Sequence, residues 1–243
     1  MRHFAFIGLG PLAMSMLESI SEVTDQIVVI DNDAGLIDRV KDLVKTAYVA
    51  DVLDEEALER ILPEAVDVAV VDFSGDIEAA LLVTHRLSKI GVKEIIVKAD
   101  SDEKTEILKL VGATRVVNSD REAAARIVPL VLSAALYNFV PIGGDLVMAE
   151  VRTPENLTSK TVIDADLRHT LGINIVAIRS EKSATYRGFD RDYKLKLDDI
   201  LLVAGLEEDV FKFSGVPLAP TNRQKEATLT SIFKNAVRTV RRK

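Results

Sequence analysis

Along the first half of the chain, short unbroken apolar runs alternate with longer stretches in which apolar residues recur every three or four positions. The runs at 4–8, 26–31, 46–50, 67–71, 94–98 and 114–118 predict strands, and the stretches near 11–21, 34–44, 54–62, 76–90 and 103–111 predict helices. The strand runs are continuous rather than alternating, the pattern of strands covered on both faces, as in a parallel sheet. Six strand units in succession predict a doubly wound, Rossmann-like α/β fold, with its ligand crevice outside the carboxyl ends of the strands.

The rhythm changes after residue 118. Residues 121–139 read as one long helix, kinked where Pro129 removes a ladder hydrogen bond. Its apolar content exceeds what one helix face needs, which predicts packing on another subunit; a buried core helix is the plainer alternative. Pro141-Ile142-Gly143-Gly144-Asp145 reads as a hinge. Beyond it, strand-like segments at 146–151, 174–179 and 200–204, a helical piece near 165–171, and Gly172, Gly188 and Gly205 describe a smaller α+β domain. The expected division is a nucleotide-binding domain over 1–118, a crossover helix and hinge over 119–144, the small domain over 145–215 and a tail over 216–243. A lone core of about 70 residues is marginal, so pairing with a second copy is expected.

The candidate chemistry sits at the strand ends. Gly8-Leu9-Gly10-Pro11-Leu12-Ala13 follows the first strand, and the second strand ends in Asp31 and Asn32. This is a G-x-G-x-x-G/A turn with an acid about 20 positions on, in its strand–turn–helix context. The first glycine allows the tight turn, the second lets a pyrophosphate approach, and Ala13 permits close helix–strand packing. The following helix is expected to offer free N–H groups to phosphate. Asp31 would accept hydrogen bonds from a ribose diol and repel a 2′-phosphate. Asp51 and Val52, after the third strand, fall near an adenine ring, or Asp51 caps a helix instead. Asp72, Phe73 and Ser74 line the same crevice after the fourth strand, contacting ribose or phosphate, unless this polar turn serves with Asp76 as a helix cap. Lys98 reaches a phosphate or is simply a solvated lysine at a strand end.

Composition narrows the class. Hydrophobic residues make up 48% and charged residues 28%, as in ordinary globular proteins. The absence of cysteine excludes disulfides and thiolate chemistry and fits a reducing cytoplasm. The longest apolar stretch, 127–140, is interrupted by Pro129, Ser133 and Asn138 and is too short to cross a bilayer. The first strand begins at once, leaving no room for a signal peptide. A net charge of −7 argues against nucleic-acid binding, although Arg223, Lys225, Lys234, Arg238, Arg241, Arg242 and Lys243 face Glu226 alone in the tail. That tail suits an acidic partner or an anionic membrane surface, or is a solvated terminus. His3, His85 and His169 lack metal-ligand spacing, no tyrosine has a lysine four positions on, and no serine sits in a G-x-S-x-G elbow. No catalytic set is visible.

Several separate segments together resemble the Trk/Ktr-type potassium-transport regulators, whose domains are called RCK or KTN. They are Phe6-Ile7-Gly8-Leu9-Gly10, Asp31, Asp51, Asp76-Ile77-Glu78-Ala79-Ala80, Val97-Lys98-Ala99 and Gly112-Ala113-Thr114-Arg115-Val116-Val117. In the second domain the segments from Leu167 to Ile178 and from Leu197 to Gly205 are similar to the RCK C-terminal domain. The resemblance implies a cytoplasmic regulatory subunit rather than an enzyme, dimers assembling into an octameric ring, and a separate membrane potassium-transport subunit as partner. It also implies an adenine nucleotide (ATP or ADP) or NAD(H) in the first domain, with Asp31 on the ribose, Asp51 on the adenine, and a ligand-dependent change of subunit angle gating ion flow. Asp120 falls where relatives that bind a divalent cation carry an acid. Two departures stand out: Pro11 replaces a basic residue common after the glycine pair, and Ala184-Thr185-Tyr186-Arg187-Gly188 replaces the Ile-Pro element of cyclic di-AMP binders. The rival readings are an NAD-dependent oxidoreductase, which needs a proton donor near the nicotinamide, and a nucleotide sensor without a transporter.

Overall fold

The computed structural model describes residues 2–54, 58, 60–62 and 66–217, and divides the chain into two compact units, Met1–Ala123 and Ala124–Lys243.

In the first unit the order is β1 (Phe4–Ile7), α1 (Pro11–Ser21), β2 (Ile27–Asp31), α2 (Ala34–Val40), β3 (Thr46–Val49), β4 (Val68–Val71), α3 (Ile77–Ile90), β5 (Glu94–Lys98), α4 (Asp102–Leu110), β6 (Arg115–Val117) and the start of α5 (Ser119–Leu132). All six strands are parallel, in the order β3-β2-β1-β4-β5-β6, the doubly wound arrangement that the apolar runs predict. Side chains alternate between the two faces of each strand. Ala5, Ile7, Val28, Ile30, Ala69 and Val71 pack under Val83 and Leu87 of α3 and Leu108 of α4. Phe6, Val29 and Val70 face the other way, against Ala13 and Leu17 of α1 and Ile37 of α2. Complete burial of each large apolar side chain contributes about 1.5–3 kcal/mol, so both faces of the central strands are committed to core.

Local capping sets where most helices start. Asp33 accepts from Gly35 and Leu36 N–H at the start of α2, Asp76 from Ala79 at α3, and Ser101 from Lys104 at α4. Helix α1 opens at Gly10 and has no side-chain cap of its own. The expected helix over 54–62 lies partly outside the described residues.

The second unit holds β7 (Leu136–Gly143), β8 (Leu146–Arg152), a 3₁₀ turn (Glu155–Leu157), α6 (Val162–Ala165), α7 (Leu167–Leu171), β9 (Asn174–Ser180), β10 (Asp199–Leu206) and α8 (Glu207–Ser214). Its sheet is antiparallel, in the order β7-β8-β10-β9. One face buries Val147, Ala149, Val151, Ile178, Leu201 and Val203 against Ala165, Leu167 and Val210.

Four expectations are corrected here. The helix expected to reach Phe139 stops at Leu132, and the residues after it form β7. Ser133 makes the break: its hydroxyl donates to the Ser214 carbonyl at 2.5 Å and accepts from Ala135 N–H at 3.2 Å, drawing the chain off the helix axis. The expected hinge at Pro141–Asp145 is the end of a hairpin joining β7 to β8, with Gly144 at φ 59° making the turn. The second sheet therefore begins at Leu136, ahead of the expected domain start at 145. The single helical piece expected near 165–171 is two short helices parted by Asp166, whose φ is 42°. The basic tail lies outside the described residues. Among the described residues no helix is long and apolar enough to cross a membrane.

Candidate functional site

The reversal of strand order between β1 and β4 decides which residues meet. Ile7 lies beside Ile30 on one side and Val71 on the other, so the residues that follow, Gly8, Asp31 and Asp72, emerge together at the carboxyl edge of the sheet. Gly8 takes φ 79°, which turns the chain from β1 into α1.

Each N–H of this turn already has an acceptor. Gly8 donates to Ile30 O at 2.9 Å and Gly10 to Asp72 O at 3.1 Å. Leu9 donates to Asp31 Oδ2 at 2.6 Å, while Asp31 Oδ1 accepts from Asp33 N–H at 2.8 Å. Pro11 has no N–H to offer. Leu12 and Ala13 both donate to Asp72 Oδ2, at 3.0 and 3.2 Å. Asp72 is 1% exposed and its other oxygen accepts from Ser74 N–H at 3.2 Å, with Lys98 Nζ 4.0 Å away. Asp72 is therefore the missing cap of α1, supplied from 60 residues downstream. The expectation of free N–H groups at this helix is corrected: a buried carboxylate holds them, compensated by the helix dipole and by Lys98. The second glycine of the motif serves the same contact. A Cβ on Gly10 would lie 2.2 Å from the Asp72 carboxylate, so the space it leaves is filled by Asp72.

Two hollows flank Phe73. The smaller, about 90 Å³, is lined by Asp31, Asn32, Asp51, Val52 and Leu53, with Phe73 and Asp76. It gathers the residues expected to hold a ribose and an adenine. Asp51 also accepts from Leu53 N–H at 2.9 Å, and the Arg86 guanidinium donates to the carbonyls of Val52 (3.1 Å) and Leu53 (2.9 Å), pinning this loop from α3. The larger cleft, about 230 Å³, runs from Asp72, Ser74 and Asp76 past Lys98 and Asp100 to Lys104 and Asp120. A hydrogen bond from Lys104 at 2.8 Å holds the Asp100 carboxyl below the usual carboxylate range. Sequence reasoning did not single out Asp100, Lys104 or Arg86; Asp100 and Lys104 lie four residues apart, a spacing the sequence does show, whereas Arg86 reaches carbonyls 34 and 33 positions away, for which a single sequence carries no signal.

The site thus collects Gly8, Leu9, Gly10, Pro11, Leu12, Asp31, Asn32, Asp51, Val52, Asp72, Phe73, Ser74 and Lys98 at one edge of the sheet. Asp120 lines the larger cleft, but no group of three or more His, Cys, Asp or Glu among the described residues is placed to hold a metal. No histidine or tyrosine is among the residues lining the larger cleft, whose titratable groups are Asp72, Asp76, Lys98, Asp100, Lys104 and Asp120. A diphosphate on α1 does not fit while Asp72 stays where it is.

These features define the class: a Rossmann-like unit followed by a small antiparallel-sheet unit. The TrkA-N domain family matches residues 4–119. The chain is 28% identical over 212 residues to the Ktr system potassium uptake protein C of Bacillus subtilis, covering 87% of this chain and 96% of that protein. It is 23% identical over 207 residues to the Ktr system potassium uptake protein A of Vibrio alginolyticus, covering 85% and 94%. Among solved structures, the GsuK RCK domain superposes with a TM-score of 0.60 at 18% identity, covering 90% of this chain and 48% of that one. A GsuK channel bound to NAD gives 0.61 at 17% identity, covering 91% and 40%. The TrkA-N match covers the first unit, and the likeness in fold to the GsuK RCK domain extends over most of the chain.

Proposed function

We propose that this chain is a cytoplasmic regulatory subunit of a potassium-uptake system, responding to an adenosine-containing ligand in the crevice at Asp31. The observation that carries this is the near end-to-end match to Ktr potassium uptake proteins, with the acid at the end of β2 seated against the glycine turn. The ligand carries an adenosine moiety, with Asp31 on the ribose diol and Asp51 near the adenine amine. It acts by favouring one arrangement of paired subunits over another, since a ligand shifts an equilibrium only through differential affinity. A divalent cation at Asp120 would need phosphate oxygens to complete its ligand set.

The partners are a membrane potassium-transport subunit and further copies of this chain, assembled as dimers in an octameric ring. What supports self-association is α5, where Ile127, Val128, Val131 and Leu132 are exposed, Val131 at 79%. An apolar helix face left in water is the usual mark of an interface. The basic tail would meet the membrane subunit or anionic lipid.

Calorimetric titration with adenosine, ADP, ATP, NAD⁺, NADH and NADPH tests the ligand, alongside Asp31→Ala. Binding of an adenine compound that the variant loses by about tenfold or more, with NADPH absent, supports the crevice. Restoration of potassium uptake in cells lacking a Ktr regulator, when this chain is expressed with its membrane partner, tests the role.

A further inference from the structure

The disagreement between the crevice and a diphosphate points to a residue that controls what the crevice accepts; the argument rests on the ligand proposed above. We infer that Asp72 is the specificity-determining residue of the crevice: its carboxylate stands on α1 in place of a phosphate and selects uncharged adenosine-type ribonucleosides over nucleotides. Four observations converge. Asp72 Oδ2 takes both Leu12 and Ala13 N–H, the remaining donors of the turn have other acceptors, and the space beside Gly10 is taken by this carboxylate. The group is also 1% exposed, so its negative charge is poorly screened.

A phosphate arriving at α1 would meet that charge with Lys98 as the nearest cation and no vacant donor in the turn. It binds only if the Asp72 side chain leaves, which breaks three hydrogen bonds and uncaps the helix. Adenosine carries no phosphate and asks for none of this, since the hollow lined by Asp31 and Asp51 does not include Asp72 in its wall.

The test is calorimetry on the full chain, its Asp72→Ala variant and its Asp72→Asn variant, with adenosine, ADP, NAD⁺ and inorganic pyrophosphate as probes. The expected result is that the unaltered protein prefers adenosine. Asp72→Ala then gains about tenfold or more for ADP and NAD⁺ relative to adenosine and acquires pyrophosphate binding. Asp72→Asn keeps an acceptor oxygen for α1 without the charge, so it shifts the same ratio in the same direction, and it decides the matter if Asp72→Ala does not fold by circular dichroism. Adenosine binding with an ADP-to-adenosine ratio unchanged in both variants overturns the inference while leaving the crevice ligand standing. Preference of the unaltered protein for ADP or NAD⁺ over adenosine overturns it equally. If no adenine compound binds any of the three proteins, the proposed ligand falls and the inference falls with it.

Discussion

A methyl group at Gly10 would sit 2.2 Å from the Asp72 carboxylate, yet the backbone there, at φ −63° and ψ 171°, suits any residue. Gly10 is therefore required by space and not by conformation. Gly10→Ala is expected to destabilise the first unit by about 1–3 kcal/mol in urea unfolding, as overpacking does. In an Asp72→Ala background the same change should cost much less, because the clash is gone; equal costs in both backgrounds would show that Asp72 is not what Gly10 accommodates. At this scale the chemistry of a motif residue is set by its neighbour. The G-x-G turn was legible from spacing, whereas the carboxylate that fills it sits 60 positions away and becomes its partner only through the β1–β4 pairing.

Among the elements, the connection from α5 into β7 and the open face of the second sheet are the informative ones. Ser133 and Ser214 are both buried, and the bond between them ties the end of α5 to the end of α8. Ser133→Ala should lower the stability of the second unit by about 1–3 kcal/mol, read by thermal unfolding, since it orphans a buried carbonyl. On the open face, Arg179 of β9 reaches over β10 to Glu150 of β8, with Nε 3.1 Å from the carboxylate. Burial works against ionisation of Glu150, but hydrogen bonds with Tyr186 and Arg179 outweigh it and hold its carboxyl below the ordinary 4.5. A lowered folded value means that the pair's stabilisation is present above about pH 4.5 and is lost as pH falls through the depressed value. Glu150→Gln should thus cost about 1–2 kcal/mol at pH 7, between exposed and buried pairs, with the gap to the unaltered protein closing below pH 4.5. Nearby, burial and the Asp199 carboxylate push the Tyr193 hydroxyl up to about 12, so it stays protonated and donates to Asp199 at 2.9 Å throughout the physiological range.

For the whole molecule, the exposed apolar residues of α5 bear on assembly. Val131→Glu puts a charge on that face without disturbing a buried contact, so folding should be retained while the self-association proposed above is lost. Light scattering after size exclusion reads this: an unchanged mass with normal circular dichroism would mean that α5 is not the interface. Apolar excess in α5 was legible in the sequence as more than one face requires. Its extent was not, because helical periodicity carries no warning that Ser133 would redirect the chain into a strand.

What the sequence by itself determined is what local chemistry controls. Continuous Val/Ile runs dictate strands buried on both faces, the glycine turn dictates a strand-to-helix reversal, and Asp33, Asp76 and Ser101 mark helix starts within three residues of the N–H groups they cap. Tertiary structure decided the rest. Whether α1 presents its N–H groups to a ligand or to its own chain depends on Asp72, and whether Gly143-Gly144 bends between domains or within a hairpin depends on β8 lying beside β7. The first outcome is a pairing across 60 residues and the second a pairing of two whole strands, and each places a charge or a strand where the residues immediately flanking it do not dictate.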